Sequence, residues 1–132
     1  MVNIEKRILI VDDSQEFLTL MRLAFREFGP ELQIAGSGYA ASELMKVRNY
    51  DLVLTDVEMP SGSGIWLLKF VRGLSPKTKV LIMTGGTTTT REEALRFGAD
   101  DFIHKTEGAK AIVALVKAHL TESATDPQAK TA

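Results

Sequence analysis

The apolar residues of this chain fall into two alternating patterns. Short runs rich in isoleucine, valine and leucine, such as RILIV and VLIM, are typical of strands buried on both faces of a parallel sheet. The longer segments between them carry apolar residues three and four positions apart, which is typical of helices with one buried face. The predicted strands are 7–11, 33–36, 52–55, 80–83 and 101–104. The predicted helices are 14–28, 39–48, 64–72, 89–97 and 107–120.

This regular alternation of strand and helix predicts a doubly wound α/β fold with right-handed crossover connections. Gly29, Gly73 and Gly98 stand where the first, third and fourth helices are predicted to end, as expected of glycine at helix C-termini. We therefore expect one domain over residues 1–120. Residues 121–132 are small and polar, which predicts a polar tail or the start of an interdomain linker.

Composition and charge narrow the classes of function. With 132 residues, 45% of them hydrophobic and 25% charged, the chain matches a soluble globular domain that can bury its own core. Sixteen basic and seventeen acidic residues give no electrostatic basis for binding nucleic acid. The absence of cysteine excludes disulfides, thiolate metal sites and cysteine nucleophiles. Because the sequence shows neither a secretion signal nor a membrane span, we expect a cytoplasmic protein that does not contact membranes.

Candidate chemistry collects at the ends of the predicted strands, where ligands bind in doubly wound folds. Asp12 and Asp13 follow the first strand, and Asp56, Thr84 and Lys105 follow the third, fourth and fifth. Three carboxylates in one pocket repel one another unless a cation binds, and oxygen ligands alone favour Mg²⁺ or Mn²⁺. A lysine and a hydroxyl suit a phosphoryl group, and an aspartate can act as its nucleophile. These residues predict a metal-dependent phosphoryl pocket, with a merely structural rim of ion pairs as the alternative.

Four strings of the sequence occur in a characteristic order. They are ILIVDDS, DVEMPSGSG, LIMTGG and GADDFIHK, and the register is kept from about residue 6 to residue 120. In this set the chain resembles the receiver domain of two-component response regulators. The resemblance implies a flavodoxin-like sheet of five parallel strands in the order 2-1-3-4-5, flanked by five helices. It also implies phosphorelay signal transduction: the protein would take a phosphoryl group from a histidine kinase or histidine phosphotransfer protein and hydrolyse it slowly, as a switch rather than a turnover enzyme.

The resemblance further implies a role for each residue of the pocket. Asp56 would be the phosphoacceptor. Asp13 and Asp56, with the backbone carbonyl of Glu58, would bind Mg²⁺, and Asp12 would hold the ion through water. Lys105 would pair with the phosphoryl oxygens.

Two further residues would carry the switch in a protein of this family. Thr84 would move to donate a hydrogen bond to the phosphoryl group, and Phe102 would enter the space that Thr84 leaves. The face formed by the fourth helix, fifth strand and fifth helix would then change for partner binding. The sequence departs from the family at Thr106, where a proline usually follows the lysine in a cis peptide. We expect a trans peptide here, because a cis bond without proline is strongly disfavoured.

Three apolar residues outside the pocket could form contact surfaces. We expect Leu18 to lie off the buried face of the first helix, close to Asp13, where it could contribute to docking of the phosphodonor protein. Trp66 and Phe70 are four residues apart on the third predicted helix. We favour packing of these two rings against a neighbouring loop over an exposed partner or dimer patch.

Two other classes of function remain open from the residues. An aspartyl-nucleophile phosphatase would share the aspartate, the metal and the lysine, but it requires a second aspartate where Glu58 stands. A flavodoxin-like mononucleotide-binding module would place its phosphate loop after the first strand, where Asp12 and Asp13 would repel the phosphate. The sequence contains no recognisable output domain, so we expect either a stand-alone regulator or the first domain of a longer protein, with the output unknown.

Overall fold

Parallel strands form the centre of the molecule, with helices on both faces. The structure is a computed structural model that describes the backbone of residues 6–131 and the side chains of residues 6–121. Within these residues, the five strands pair in the order β2-β1-β3-β4-β5, all parallel. The strands are β1 Arg7–Val11, β2 Glu31–Ala35, β3 Leu52–Asp56, β4 Lys79–Thr84 and β5 Asp101–His104. The predicted fold class and strand order are confirmed.

The helices connect successive strands, as the alternating pattern predicts. They are α1 Gln15–Ala24, α2 Gly38–Val47, α3 Gly64–Leu74, α4 Arg91–Arg96 and α5 Ala109–Thr131. A 3₁₀ turn, Lys105–Glu107, lies between β5 and α5. Among the described residues, no helix is long and apolar enough to cross a membrane.

Two apolar layers enclose the sheet, because successive strand residues point to opposite faces. On β1, Leu9 packs into the layer that includes α2, α3 and α4. Ile8 and Ile10 pack into the layer that includes α1 and α5. The side chains of β1 at these positions are fully buried, which explains why the central strands are continuous apolar runs.

The rotation of α1 about its axis differs from the sequence prediction. Leu18 is 1% exposed and packs with Met21 and Phe25, whereas Leu20 is 46% exposed. The predicted position of Leu18 off the buried face was therefore wrong, and Leu18 cannot offer a docking surface. Apolar residues occupy both candidate faces of this helix, so spacing alone could not decide which face the sheet covers.

The observed ends of two helices, α1 and α5, differ from the ends that the sequence predicts. Helix α1 ends at Ala24, four residues before the predicted end, since the chain turns over residues 25–28. Helix α5 continues to Thr131 rather than ending at residue 120. A change to polar residues does not by itself end a helix, because polar residues keep the backbone hydrogen bonds. The assignment of residues 121–132 as a tail or linker stays a prediction.

The aromatic residues of α3 pack within the helical layer. Trp66 stacks on Phe70 with ring centroids 5.8 Å apart and meets Tyr39 edge-on at 4.7 Å. Trp66 retains 37% exposure. Its packing partner is the first turn of α2 rather than the loop we expected.

Candidate functional site

Three aspartates meet at the carboxyl edge of the sheet. Asp12 and Asp13 follow β1, and Asp56 is the last residue of β3. One carboxylate oxygen from each lies within 4.8 Å of the other two. Asp12 is fully buried and Asp56 is 7% exposed, whereas Asp13 is open to solvent. The predicted acidic cluster therefore forms, with two members inside the protein and one at its surface.

The pairing of β1 with β3 brings these residues together. Val11 lies opposite Thr55, so the residues that follow each of them, Asp12 and Asp56, lie side by side. The N–H of Asp12 donates to the carbonyl of Ala35 at 3.1 Å, which continues the β1–β2 ladder one residue past the strand. The backbone pairing of the strands alone thus brings Asp12 and Asp56 together.

Asp12 also starts helix α1. Its Oδ1 accepts a hydrogen bond from the N–H of Ser14 at 2.9 Å. Ser14 is the N-cap of α1, and its Oγ accepts from the N–H of Phe17 at 3.2 Å. The other oxygen of Asp12, Oδ2, is buried and accepts no hydrogen bond of regular geometry among the described residues; its contact is the ion pair with Lys105. That oxygen faces the pocket.

Lys105 projects into the same pocket from the end of β5. Its Nζ lies 2.5 Å from Asp12 Oδ2 and 3.5 Å from Asp56 Oδ1. The ring centroid of Phe17 lies 4.6 Å from the same nitrogen. The ammonium therefore sits between two carboxylates and an aromatic face. A single cation opposes three aspartates, so the pocket keeps an excess of negative charge.

The environment of Asp56 makes its negative charge unfavourable. Burial raises the pKa of this carboxyl, and the Lys105 ammonium offsets only part of that effect. The neighbouring charges of Asp12 and Asp13 raise it further, so the pKa moves from 3.8 to about 6. A cation bound among the three carboxylates would relieve this repulsion.

The donor set fits a hard divalent cation. Asp12, Asp13 and Asp56 offer carboxylate oxygens only, which Mg²⁺ prefers over softer ligands. The buried Asp12 Oδ2, whose partner in the pocket is the Lys105 ammonium, is an oxygen that an ion or its water shell could also contact. That the backbone carbonyl of Glu58 completes the ligand set stays a prediction.

The side chain of Glu58 points to a different partner. Its Oε2 accepts a hydrogen bond from the hydroxyl of Thr88, in the loop between β4 and α4. This bond joins the loop that follows the predicted phosphoacceptor to the loop that follows Thr84. The two loops bordering the pocket are thus tied together on its outer side.

The two predicted switch residues lie on neighbouring strands. Thr84 ends β4, is 1% exposed, and its Oγ1 accepts from the N–H of Gly86 at 3.0 Å. Phe102 on β5 is 7% exposed and packs in the layer of α2, α3 and α4. Its ring meets His104 edge-on with centroids 5.3 Å apart. In this structure the aromatic ring points inward; its movement stays a prediction.

Close packing fixes the chain after Asp56. A Cβ on Gly64 would lie 2.3 Å from the carbonyl oxygen of Asp56, so no larger residue fits there. The N–H of Gly64 donates to the carbonyl of Val57 at 2.9 Å. The start of α3 is thereby held against the backbone of Asp56.

Among the described residues no peptide is cis, so the Lys105–Thr106 bond is trans as expected.

Sequence reasoning missed two members of the site, Phe17 and Thr88. Phe17 lies four residues after Asp13, a position on the helical turn nearest the pocket that spacing alone could have indicated. Thr88 is one of four consecutive threonines, residues 87–90. No sequence signal distinguishes it from Thr87 or Thr89.

Sequence comparison places the chain beside one family. The family profile described as the response regulator receiver domain matches residues 8–117. The transcriptional regulatory protein ZraR of Escherichia coli O157:H7 is 40% identical over 99 residues, which cover 74% of this chain and 22% of ZraR. The chain therefore spans less than a quarter of the length of that relative.

Solved structures give the same match. A CheY-like response regulator receiver domain protein from Methanospirillum hungatei JF-1 superposes with a TM-score of 0.83 at 28% identity, covering 92% of this chain and 98% of that one. The CheX–CheY–BeF₃–Mg²⁺ complex from Borrelia burgdorferi matches with a TM-score of 0.81 at 25% identity, covering 90% of this chain and 95% of that one. Both alignments thus cover at least 90% of this chain.

Proposed function

The chain belongs to the receiver-domain family of two-component response regulators, and from this membership we propose that it accepts a phosphoryl group on Asp56 in a Mg²⁺-dependent reaction. The observation that carries the proposal is the position of the Asp56 carboxylate. It is buried, lies 3.5 Å from the Lys105 ammonium, and belongs to a three-aspartate cluster with excess negative charge. Such a pocket suits a phosphoryl group that arrives with a metal ion.

The proposed reaction transfers the phosphoryl group from a phosphohistidine. A carboxylate oxygen of Asp56 attacks phosphorus, the phosphorus–nitrogen bond breaks, and the imidazole leaves with its electron pair and takes a proton from solvent. Asp12, Asp13 and Asp56 would hold the Mg²⁺ ion, which when bound neutralises charge on the phosphoryl oxygens. Lys105 would supply a second positive charge to the phosphoryl oxygens.

The same residues link phosphorylation to the rest of the protein. A phosphoryl group adds close to two negative charges and three acceptor oxygens. We expect the Thr84 hydroxyl to donate to one of these oxygens in place of its present position beside Gly86. Phe102 lies on the neighbouring strand and can follow, which would alter the surface formed by α4, β5 and α5.

One contact favours a switch over the phosphatase alternative. A phosphatase of the aspartyl-nucleophile class needs an acid or base two residues after the nucleophile, and Glu58 occupies that position. Its carboxylate is engaged by the Thr88 hydroxyl. We therefore propose slow self-hydrolysis rather than turnover. A mononucleotide-binding role is disfavoured, because the buried charge of Asp12 stands where the nucleotide phosphate would bind.

The proposed phosphodonors are a histidine kinase or a histidine phosphotransfer protein. The CheY of Borrelia burgdorferi was solved with BeF₃ and Mg²⁺, and its likeness to this chain supports a pocket for a phosphoryl group and a metal ion.

Intact-protein mass after incubation with acetyl phosphate tests the proposal. With Mg²⁺, the wild type should gain one phosphoryl mass that hydroxylamine removes, as expected of an acyl phosphate. Asp56→Ala should gain none, and EDTA should suppress the gain in the wild type. Undiminished label in Asp56→Ala would refute the assignment of the phosphoacceptor. Multiple turnover of a phosphomonoester would favour the phosphatase.

A further inference from the structure

We propose that Phe17 is a positioning residue: its ring holds the ammonium of Lys105 against the carboxylates of Asp12 and Asp56, and thereby sets the rate at which Asp56 accepts a phosphoryl group. This inference rests on the proposed function. It adds to the pocket a residue from α1 that carries no charge and no hydrogen-bonding group.

The geometry is that of a cation–π contact. The Nζ of Lys105 lies 4.6 Å from the centroid of the Phe17 ring, inside the distance of about 6 Å within which the negative ring face attracts a cation. The same nitrogen contacts Asp12 Oδ2 at 2.5 Å and Asp56 Oδ1 at 3.5 Å. The ammonium therefore contacts one aromatic ring and two carboxylates.

The ring is held in place by residues of the pocket itself. Asp12 accepts a hydrogen bond from the N–H of Ser14, and Ser14 accepts one from the N–H of Phe17. The Phe17 side chain also packs against the apolar layer of α1 and α5. Asp12 thus contacts Lys105 directly and fixes the helical turn that carries the aromatic ring.

Lys105 needs such support because its side chain is flexible. A lysine ammonium is a compact, strongly hydrated charge on a four-carbon chain, and this side chain is 21% exposed. Water competes for the ammonium, and hydration would draw it away from Asp56. An aromatic face attracts the cation without neutralising it, so the full charge stays available to the phosphoryl group. An aliphatic residue would fill the space but would not attract the charge.

The first test compares two substitutions of Phe17. Phe17→Leu keeps an apolar side chain and removes the ring, whereas Phe17→Tyr keeps the ring. With acetyl phosphate and Mg²⁺, Phe17→Leu should be phosphorylated about two- to fivefold more slowly, the factor expected of a partly exposed cation–π contact. Phe17→Tyr should react within about twofold of the wild type by the same reasoning.

A matched control lies in the same apolar layer. Lys117 Nζ sits 5.5 Å from the ring centroid of Phe28, a similar pair that does not touch the pocket. Phe28→Leu should leave the phosphorylation rate unchanged. Equal slowing by Phe28→Leu and Phe17→Leu would assign the effect to general packing and overturn the proposal.

Two readouts separate positioning from a structural role. In NMR spectra, the ε-methylene protons of Lys105 should be shifted upfield by the ring in the wild type and in Phe17→Tyr, but not in Phe17→Leu. In a Lys105→Met background, Phe17→Leu should cause no further slowing, since the cation it acts on is gone. A slowing of equal size in that background would overturn the proposal.

The outcomes distinguish the two proposals. If the wild type is phosphorylated and Phe17→Leu is phosphorylated at the same rate as the wild type, the positioning role is refuted and the proposed function stands. A wild type that accepts no phosphoryl group from acetyl phosphate with Mg²⁺ refutes the proposed function, and the positioning role with it.

Discussion

Two partly buried aspartates of this protein occupy opposite electrostatic environments. At Asp56, burial and the charges of Asp12 and Asp13 raise the pKa to about 6, and Lys105 compensates only in part. At Asp101, on β5, burial also raises the pKa, but hydrogen bonds from His119 and the Phe102 N–H, together with Arg91, outweigh it and lower the pKa overall. The Asp56 carboxylate therefore has too few hydrogen-bond and cationic partners to stabilise its charge, whereas the Asp101 carboxylate has enough.

The contrast distinguishes a ligand-binding site from a purely structural cluster. We call the structural cluster of Asp101, His119 and Arg91 the joint. Asp101 lies 2.8 Å from His119 Nε2 on α5 and 3.0 Å from Arg91 Nη2 on α4, so it ties together the three elements of the proposed output surface. Its charge is balanced within the protein and needs no ligand. The pocket at Asp56 keeps its charges unbalanced, which is expected where a cation and a phosphoryl group bind.

Replacing each aspartate by asparagine should change stability in opposite directions. Asp101→Asn removes the charge that His119 and Arg91 share, and we expect it to lower the free energy of unfolding by about 3 kcal/mol, in the range for hydrogen bonds to charged groups. Urea denaturation at neutral pH measures this. Glu43→Gln, in an exposed pair with Lys46, is the control and should stay within about 0.5 kcal/mol. If Asp101→Asn were as stable as the wild type, the claim that the charge of Asp101 stabilises the fold would be wrong.

Magnesium should act on the pocket and not on the joint. A ligand that binds only the folded state at one hundred times its dissociation constant adds about 2.7 kcal/mol, which for a domain of this size raises the melting temperature by several degrees. Thermal melts with Mg²⁺ and with EDTA at matched ionic strength should show this rise in wild type and Asp101→Asn.

The variant Asp13→Ala separates metal binding from structural need. In EDTA it should be at least as stable as the wild type, because one repelling charge is gone, yet it should gain little from Mg²⁺. A wild type indifferent to Mg²⁺ together with a strongly destabilised Asp13→Ala would make the acidic cluster structural.

The raised pKa of Asp56 predicts how pH affects the metal-free protein. Because the folded-state pKa exceeds the unfolded value, the penalty is absent where both states are protonated, below 3.8, and grows as the pH rises toward about 6. In EDTA above that pH, Asp56→Asn should be more stable than the wild type by about 3 kcal/mol, from a pKa shift of about two units. Urea melts of both proteins at pH 4 and pH 7.5 should show a small difference at pH 4 and nearly the full difference at pH 7.5.

The smallest expected effect is a change in chemical shifts at the joint. Phosphorylation of the wild type should shift the backbone amides of Arg91, Phe102 and His119. In Thr84→Ala and Lys105→Ala these shifts should be reduced, although Lys105→Ala should still bind Mg²⁺, because the link between the phosphoryl group and β5 is broken. Unchanged shifts in both variants would show that the pocket and the joint are coupled by another route.

The pocket was predictable because it depends on backbone topology. Asp12, Asp56 and Lys105 each follow a recognisable strand, and parallel strands end at a common edge. The phase of α1 was not predictable, since Leu18 and Leu20 are equally apolar and only the packed sheet decides which is buried.

Contacts between distant elements also escaped prediction. The Phe17–Lys105 contact joins α1 to the end of β5, and the Glu58–Thr88 bond joins two loops. Each depends on how elements pack across the edge of the sheet, which periodicity and spacing do not report. Loop threonines are chemically alike, so only their conformation selects Thr88.

The most direct test of the account is the location of the phosphoryl group within the chain. Borohydride reduces an aspartyl phosphate to homoserine, and peptide mass spectrometry then identifies the modified position. After treatment with acetyl phosphate and Mg²⁺, we predict homoserine at position 56, none at positions 12, 13 or 101, and none when EDTA replaces the metal. Homoserine at another aspartate, or modification at position 56 that does not depend on Mg²⁺, would contradict the account.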